Sequence, residues 1–436
     1  MSEAPYLTQA GHPSPQGLWD VTKTALPPVA RLAGDLSTHV AIIGGGFCGL
    51  SAALHLAEAG VEAVVIEAEA PGWGASGRNG GQVIAGLKLD PRECVAKFGE
   101  AHGLALHRFG AATAELVFSL IERFQIRCEA HRDGWIQAAY STKTEAEIAR
   151  RVADLRSRGE DVELIDRDRL AALTGTSYYR GGMLDRRSGM VQPLSYALGL
   201  ARAAQSAGAR LFGNARVTRL AAEGERWVLT TAIGRVAAKH CLIATNGYTG
   251  DLHPALKTAM IAVQSYQIAT DPLPPHLARS VMPSDVPVSD LPHLGVYFRR
   301  DDAGRFIIGG RGSLTDRERL DLFALAAENA YVLYPQLREV GFALRWGGKL
   351  ALTLDHLPRL AALAPGLLAA YGCNGRGVAL ATALGKLAAE RISGARQDDL
   401  PIATLPPARY PLHGLRLPAM MVISRFRRLR NRLARL

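Results

Sequence analysis

Hydrophobic and polar positions near the N-terminus follow first the pattern of a strand and then that of a helix. The run from His39 to Ile43 is mostly apolar and ends in Gly44-Gly45-Gly46, which predicts a buried strand and a tight turn. Apolar residues then recur along one side of a predicted helix: Leu50, Ala53, Leu54, Leu56 and Ala57. A second buried strand is predicted over 61–66. Strand, turn, helix and strand within about thirty residues match the size of a βαβ unit.

Further along the chain the pattern predicts helices and strands in alternation, followed by a hairpin region. Helices are predicted over 101–124, 145–158, 193–207, 316–331 and 377–390, and strands over 134–139, 182–185, 210–212, 216–220, 227–231, 241–245, 342–353 and 367–371. Residues 261–270 alternate, and 296–300 face 305–309 across an Asp-Asp-Ala-Gly turn. This pattern is typical of an antiparallel sheet.

These elements predict an α/β fold with a Rossmann-like domain that is discontinuous in sequence and an α+β substrate domain built on an antiparallel sheet. The Rossmann-like domain is expected over 37–125, 180–258 and 346–400. The substrate domain is expected over 126–179 and 259–345. Residues 1–36 have no sustained period and predict a coil arm on the surface or on a neighbouring subunit, and residues 401–436 form a tail.

Composition favours a large protein of the reducing cytosol. The 436 residues are 48% hydrophobic, which is enough for a sizeable core and two intertwined domains. The N-terminus has no basic segment followed by an apolar one, and no apolar run reaches 18 residues, so neither a secretory signal nor a membrane span is predicted. The five cysteines are scattered and never form a CxxC pair, and the histidines form no HExxH motif, so no metal site is expected. We expect a cytoplasmic protein.

The net charge of +11 is concentrated at the C-terminus. Six arginines fall within the last twelve residues, and removing them leaves +5 for the rest of the chain, so no nucleic-acid partner is expected. Apolar residues recur in the same tail at helical spacing: Val422, Phe426, Leu429, Leu433 and Leu436. Two roles stay open for this basic amphipathic helix: peripheral contact with an anionic membrane, or packing on the body of the protein or across a dimer.

A dinucleotide fingerprint connects the first two predicted strands. Gly44, Gly46 and Gly49 fit GxGxxG: they allow a tight turn, close approach of the backbone to a pyrophosphate, and close packing of helix on strand. The helix that starts at Phe47 points its N-terminal amides at that pyrophosphate. Glu67 ends the next strand, where its carboxylate can accept both hydroxyls of an adenosine ribose. NAD and FAD share this fingerprint.

The segment after the second strand favours FAD. It is polar and rich in glycine, so its backbone can lie against a large flat ligand, and its side chains offer donors to phosphates and to the flavin. The candidate cofactor-binding residues in it are Gly74, Ser76, Arg78, Asn79, Gly80, Gly81 and Gln82.

The stretch from Val40 to Val83 resembles the FAD-dependent D-amino-acid-oxidase-like superfamily, and GASGRNGGQ is similar to its gamma-glutamylputrescine oxidase branch. Further similarities extend over nearly the whole chain: Ala244 to Tyr248, Gly309 to Arg311, Trp346 to Gly348 with Thr353, Asp355 and Pro358, and Asn374 to Val378. The resemblance implies FAD as cofactor. It also implies that Gly375, Arg376 and Gly377 lie at the pyrimidine end of the flavin, and that the backbone of Val217 meets the adenine.

The resemblance further implies oxidation of an amine or amino acid by hydride transfer from the α carbon to flavin N5, with oxygen or another compound as electron acceptor. Tyr248, Lys349 and Arg311 are the candidate catalytic residues: Lys349 would orient a water or raise oxygen reactivity, and Arg311 would pair with a substrate carboxylate. Two alternatives stay open. One is an amino-acid dehydrogenase or glycine-type oxidase, and the other is a noncatalytic membrane-associated flavoprotein subunit.

Overall fold

The computed structural model describes residues 17–290, 294–314, 319–408 and 410, and its first sheet carries the predicted βαβ unit. The central strands of this sheet are parallel, with the order β18-β11-β1-β2-β8. An antiparallel strand, β17, covers one edge, and the hairpin β9–β10 pairs with β11. The bounds are β1 Leu36–Ile43, β2 Ala63–Ile66, β8 Arg210–Phe212, β9 Arg219–Glu223, β10 Arg226–Thr230, β11 Arg235–Ile243, β17 Arg359–Ala364 and β18 Leu367–Tyr371.

Helices pack against this sheet because their apolar stripes need a partner surface. They are α2 Phe47–Glu58, α3 Pro91–Phe98, α4 Glu100–Arg123, α7 Pro193–Ser206, α8 Pro254–Ala259 and α11 Gly377–Ile392. Gly385 lets α11 approach α2 closely, since a Cβ there would overlap the carbonyl oxygen of Cys48. By length and composition α4 could cross a membrane. Its Ala114, Val117 and Leu120 are nevertheless buried in the main core of the protein.

The second sheet is antiparallel apart from one parallel pair, β13 with β4, and has the order β16-β12-β15-β14-β13-β4-β6-β5. Its strands are β4 Trp135–Ala139, β5 Val162–Asp166, β6 Gly181–Asp185, β12 Ile261–Pro272, β13 Val288–Ser289, β14 Val296–Arg300, β15 Arg305–Arg311 and β16 Leu344–Leu352. The accompanying helices are α5 Thr142–Arg156, α6 Arg167–Thr174, α9 Pro275–Ala278 and α10 Leu320–Leu333. The predicted fold class is therefore confirmed.

The division between the two sheets differs from the predicted domain ranges at two places. β6 lies within the range 180–258 assigned to the Rossmann-like domain, but it pairs with β4 and β5 in the second sheet. Most of β16 lies in the range 346–400, yet this strand pairs with β12. Glycines explain why these two strands were assigned to the wrong sheet. Gly181 and Gly182 in β6, and Gly347 and Gly348 in β16, have no side chains whose alternation could indicate a buried face. A two-stranded ladder, β3 Gln82–Val83 with β7 Gly189–Met190, lies between the sheets.

The described part of the N-terminal arm differs from the predicted surface coil at its start, whereas residues 23–35 have no helix or named strand and are largely exposed. Residues Leu18–Thr22 form a short helix, α1, in which Leu18 and Trp19 are 0% and 1% exposed. They pack against Leu198 of α7, which lies on the first sheet, and Trp346 of β16 in the second sheet. Burying two large apolar side chains contributes enough to hold a segment that has no helical periodicity of its own. The predicted helix of the C-terminal tail lies outside the described residues.

Candidate active site

The turn between β1 and α2 has the geometry of the dinucleotide fingerprint. Gly44 has φ +108°, a conformation that favours glycine. A Cβ on Gly49 would overlap the carbonyl oxygen of Gly44, so only glycine allows this contact between helix and turn. Gly46 is the N-cap of α2, in extended backbone, and the amides of the first helical turn follow it. The turn therefore leads into the N-terminus of a helix, which is the kind of site that binds a pyrophosphate.

Glu67 lies directly after β2 and contacts this turn. Its Oε2 accepts a hydrogen bond from the Gly45 amide at 2.6 Å, and its Oε1 accepts one from the Glu69 amide at 2.9 Å. Burial raises the pKa of the Glu67 carboxyl, and the amide of Gly45 opposes that shift. A carboxylate has about four acceptor positions, so these two bonds leave acceptor capacity for a ribose hydroxyl.

Ser76 lies at the N-terminus of α2. Its Oγ accepts a hydrogen bond from the Phe47 amide at 2.9 Å, and a Cβ on Gly46 would lie 2.8 Å from the same oxygen. Ser76, Gly46 and Phe47 thus form one cradle, brought together from both glycine-rich segments. Its donors suit the phosphates of FAD, so the residues fit the group that the sequence predicts.

Three polar side chains of the loop 72–82 are used within the protein. Arg78 is buried; its Nε donates to the Trp73 carbonyl at 2.7 Å, and its guanidinium lies 4.4 Å from the Trp73 ring. Asn79 donates to the Ala75 and Ser76 carbonyls and accepts from the Gly81 amide at 2.8 Å. Gln82 donates to the Val288 carbonyl at 3.1 Å and accepts from the Ser289 hydroxyl.

These bonds show what Arg78, Asn79 and Gln82 contact within the protein, and their predicted contact with phosphates and flavin stays a prediction. We expected their side chains to offer donors to phosphates and flavin, but in this structure the donors satisfy carbonyl groups that the fold buries. Buried polar groups need partners, so the three side chains shape the loop.

The glycines of this loop lie against neighbouring rings and carbonyls. A Cβ on Gly80 would lie 2.7 Å from the ring of Tyr297, and one on Gly81 (φ +72°) would meet Arg299 Nη1 at 2.5 Å. Gly74 lies against Tyr248, whose ring would be 3.5 Å from a Cβ. Tyr297 and Arg299 belong to β14 of the second sheet, and Tyr248 follows β11 of the first sheet. The loop therefore lies between the two sheets.

The loop before α11 contains the other predicted flavin-binding residues. Gly375 is exposed with φ +84°, and Gly377 begins α11. Arg376 is 4% exposed; its Nη1 donates to the Ala85 carbonyl at 2.6 Å, and its guanidinium lies 5.7 Å from the Trp135 ring. The Arg376 side chain thus extends into a narrow cavity between the two sheets. The predicted contact of Arg376 with flavin N1 and C2=O stays a prediction.

Val217 follows β8 in an extended segment before β9, and its side chain packs in the core on that side of the first sheet. The segment is anchored near the fingerprint, since the Ala215 amide donates to the Glu67 carbonyl at 2.9 Å. Val217 therefore follows by two residues Ala215, which contacts the backbone of Glu67, the residue predicted to bind the ribose. Its contact with adenine stays a prediction.

Two of the three candidate catalytic residues lie together. The Lys349 amide donates to the Tyr248 hydroxyl at 3.0 Å, and the Lys349 ammonium lies 5.7 Å from the centre of the Tyr248 ring. Trp73 packs edge-on against Tyr248 at 6.0 Å. Arg311 is the last residue of β15, and its side chain lies outside the described residues. Tyr248 and Lys349 thus border the glycine loop on the side of Gly74.

Sequence reasoning missed two buried residues beside the loop. Trp19 donates from Nε1 to the Asn79 carbonyl at 2.7 Å. Arg299 is 1% exposed, donates from Nη1 to the Val191 carbonyl at 2.7 Å, and lies 5.2 Å from the Trp19 ring. The signal for Trp19 was a large apolar pair, Leu18-Trp19, in a segment otherwise typical of coil. For Arg299 the signal was a charge on the inward-alternating face of a predicted strand.

Comparison with known proteins agrees with this geometry. The family model described as DAO, FAD dependent oxidoreductase, matches residues 39–391. The chain belongs to this family. Gamma-glutamylputrescine oxidoreductase of Escherichia coli (strain K12) is 32% identical over 411 residues, which covers 93% of this chain and 96% of that protein. The probable oxidoreductase OrdL of Rhizobium meliloti (strain 1021) is 30% identical over 95% of this chain and 94% of that protein.

Among solved structures, glycine oxidase from Geobacillus kaustophilus superposes with a TM-score of 0.71 at 22% identity, over 86% of this chain and 100% of that chain. This likeness shows the fold. The family match and the curated relatives confirm the predicted cofactor, FAD, and the predicted class of enzyme, an FAD-dependent amine or amino-acid oxidoreductase. Its substrate is accordingly a small amine or amino acid, and its electrons pass to an acceptor.

Proposed function

We propose that the chain oxidises the terminal amine of a linear substrate similar to gamma-glutamylputrescine. The observation that carries this proposal is the 32% identity to the Escherichia coli gamma-glutamylputrescine oxidoreductase over nearly the full length of both proteins. Such coverage includes both sheets, and therefore both the cofactor side and the substrate side of the fold.

When bound, FAD accepts at N5 the hydride that leaves the carbon next to a neutral amine, and water hydrolyses the resulting imine. The residues of this chain bind and orient. The cradle of Gly46, Phe47 and Ser76 would hold the pyrophosphate, and Glu67 would hold the ribose. The amides at the start of α11, from Gly377, would stabilise the negative charge that gathers on the pyrimidine ring during reduction.

Tyr248 and Lys349 remain our candidates for the reacting side, because they lie together beside the glycine loop. In this proposal the Tyr248 hydroxyl holds the backbone of Lys349 in place, as their hydrogen bond supports. The Lys349 ammonium then orients a water or raises oxygen reactivity. Arg311 stays a candidate partner for a substrate carboxylate.

The test uses the purified full-length protein. FAD should copurify, and acid or heat precipitation should leave it in a yellow supernatant, because the fingerprint binds FAD without any predicted attachment residue. Anaerobic addition of gamma-glutamylputrescine should bleach the flavin faster than putrescine, glycine or sarcosine does. Release of hydrogen peroxide in air then separates an oxidase from a dehydrogenase.

The alternatives predict different results from the same experiment. Faster bleaching by glycine or another amino acid would assign the chain to a glycine-type oxidase or an amino-acid dehydrogenase. A yellow protein that no amine bleaches would contradict catalysis and favour a noncatalytic flavoprotein subunit. Colour that stays in the denatured pellet would contradict noncovalent binding.

The tail from residue 401 carries a separate proposal, peripheral attachment to an anionic membrane through its basic helix. Truncation after Leu417 should abolish salt-sensitive sedimentation with anionic vesicles and leave FAD content and amine turnover nearly unchanged. If the full-length protein ignores such vesicles and truncation lowers its melting temperature, the tail packs on the enzyme body or across a dimer.

A further inference from the structure

The N-terminal segment and the second sheet meet at a pair of tryptophans. Trp19 of α1 and Trp346 of β16 pack edge to face with their ring centres 5.8 Å apart, and they are 1% and 4% exposed. A Cβ on Gly17 would lie 2.7 Å from Cγ of Trp346, so α1 approaches this ring as closely as glycine allows. The pair therefore joins a segment that precedes the dinucleotide fingerprint to the sheet on the substrate side.

Both indole N–H groups donate to the glycine-rich loop. Trp19 Nε1 donates to the Asn79 carbonyl at 2.7 Å, and Trp346 Nε1 donates to the Arg78 carbonyl at 3.2 Å. The side chain of Gln267, in the second sheet, donates to the Arg78 carbonyl as well. Two consecutive carbonyl groups of the loop are thus held by donors from the N-terminal segment and from the second sheet.

Gln192 fixes the position of α1. This residue is fully buried at the N-cap of α7, where its Oε1 accepts from the Ser195 amide at 2.7 Å. Its Nε2 donates to the Trp19 carbonyl at 2.9 Å and to the Thr22 hydroxyl at 3.1 Å. The Thr24 amide donates to the Ser195 hydroxyl at 3.0 Å. Because its backbone is anchored to α7, Trp19 can hold the loop in place.

The two carbonyl contacts have a consequence on the other side of the loop. In a planar trans peptide the C=O and the N–H point in opposite directions. Donors on the Arg78 and Asn79 carbonyls therefore turn the amides of Asn79 and Gly80 away from the tryptophans. Neither amide donates to a protein group in the part of the chain that the structure describes, and both residues are partly exposed. The loop thus presents two consecutive amides to a partner that the protein does not supply.

The position of the loop indicates the ring of FAD as that partner. Ser76 lies at the N-terminus of α2, where the pyrophosphate would bind, and Gly80 lies against the Tyr297 ring in the second sheet. The flavin ring is connected to the pyrophosphate, and the amine reaches it from the substrate side. The stretch between Ser76 and Gly80 spans the same two sides.

We infer that Trp19 is a positioning residue of the flavin site: its indole N–H, together with that of Trp346, turns the amides of Asn79 and Gly80 toward the ring of bound FAD. The N-terminal segment is then a part of the cofactor site. The inference rests on the predicted contact between this loop and FAD, and it is independent of the amine that the enzyme oxidises. Amides that are already held in place bind the ring without a further ordering cost.

The test compares the binding of FAD and of ADP to the full-length apoprotein. FAD occupies the whole site, whereas ADP occupies only the side of the fingerprint. Trp19→Phe keeps an aromatic ring and removes the N–H, so we expect FAD to bind roughly twofold to tenfold more weakly and ADP to bind as in the parent. The visible circular dichroism of the bound flavin should change too, because it reports on the surroundings of the ring.

Trp227→Phe is the matched control. Trp227 Nε1 also donates to a backbone carbonyl, that of Pro365 at 3.0 Å, but Trp227 lies in β10 of the first sheet. This variant should match the parent in FAD affinity, ADP affinity and circular dichroism. Trp346→Phe removes the second donor and should weaken FAD binding without weakening ADP binding. It decides the question if Trp19→Phe does not fold.

Three results would overturn the inference. FAD affinity and dichroism equal to those of the parent in Trp19→Phe would show that this N–H does not act on the cofactor. An equal loss of FAD and ADP affinity would assign Trp19 to the stability of the whole site. A loss of FAD affinity in Trp227→Phe as large as that in Trp19→Phe would remove the distinction between the two tryptophans. No amine is used, so a protein that no amine bleaches can fail the proposed function and still support this inference.

Discussion

Arg299 and Arg376 are two buried guanidinium groups with nearly the same immediate contacts. Each donates one hydrogen bond to a backbone carbonyl, at 2.7 and 2.6 Å, and each lies over a tryptophan ring, at 5.2 and 5.7 Å. Burial lowers the pKa of both, to about 10 and about 9. Contacts and burial alone would assign them the same role.

Their surroundings differ. The carboxylates of Asp301 and Glu129 raise the pKa of Arg299 against the effect of burial, whereas at Arg376 the guanidinium of Arg151 adds to the effect of burial and the carboxylates of Asp185 and Asp90 oppose it. Arg299 Nη1 lies close against the backbone of Gly81, while Arg376 opens onto a cavity. The two guanidinium groups therefore share their immediate contacts and differ in the charges and the space around them.

The largest effect should come from Arg299→Met. This change leaves the Val191 carbonyl without its donor and removes the positive charge near Asp301 and Glu129, so we expect unfolding to become easier by about 2 to 4 kcal/mol. Urea denaturation of the FAD-loaded protein measures this change. Arg300→Met is the control and should shift the free energy of unfolding far less. A stability equal to that of the parent would contradict the structural role that we expect for Arg299.

Arg376→Met should change flavin reduction more than stability. The change removes one buried charge and one hydrogen bond, to the Ala85 carbonyl, so we expect the free energy of unfolding to change by less than about 1 kcal/mol. The reductive half-reaction should slow, because a positive charge near N1 and C2=O favours the reduced flavin. The rate of anaerobic bleaching by an amine in stopped flow measures this change.

The reduction potential tests the contact of Arg376 with N1 and C2=O that the sequence predicts. A guanidinium at the pyrimidine ring favours reduced flavin, so its loss should make the flavin harder to reduce. We therefore expect a clearly lower potential in Arg376→Met than in the parent. A potential equal to that of the parent would place Arg376 away from the flavin.

Glu67→Ala provides the reference for a direct cofactor contact. Loss of a charged acceptor for the ribose should weaken FAD binding by about 1.5 to 3 kcal/mol, or roughly tenfold to a hundredfold. Titration of apoprotein with FAD measures it, and Glu62→Ala, on the surface near the same sheet, is the matched control. An unchanged affinity would mean that Glu67 only caps the turn through Gly45 and Glu69.

The smallest effect is expected from Tyr248→Phe. The change removes the acceptor of one hydrogen bond from the Lys349 amide, worth about 0.5 to 1.5 kcal/mol. Flavin reoxidation by oxygen in stopped flow should slow only modestly if Lys349 keeps its position. Lys349→Met measured alongside shows whether the ammonium itself acts on oxygen, and identical reoxidation rates in all three proteins would remove both residues from the reacting side.

The fingerprint could be predicted because its geometry depends on residues close in sequence. Gly44, Gly49 and Glu67 lie within one βαβ unit, and each has a steric or charge requirement that few residue types meet. The direction of Arg376 could not be predicted, since it depends on Ala85 and Trp135, which arrive from two distant parts of the chain. The position of Trp19 could not be predicted for the same reason, because its partners, Asn79 and Arg299, are distant in sequence.

Polar residues in glycine-rich loops show a second limit of sequence reasoning. Arg78, Asn79 and Gln82 are the residue types that bind phosphates and flavins, and equally the types that satisfy buried carbonyl groups. Residue type alone does not separate the two uses. In this structure the three side chains donate to the Trp73, Ala75 and Val288 carbonyls, which come from the loop itself and from the second sheet.

The order of strands in the first sheet has a consequence for how the protein folds during its synthesis on the ribosome. β11 pairs on one side with β1, which begins at Leu36, and on the other with β18, which ends at Tyr371. A growing chain that stops short of residue 367 leaves Cys241 to Ile243 of β11 unpaired on that side, and its α2 lacks the covering helix α11. Since such edges and apolar faces aggregate, we expect the nascent chain to rely on chaperones until about the last sixth of it has emerged, and to fold then in one late step.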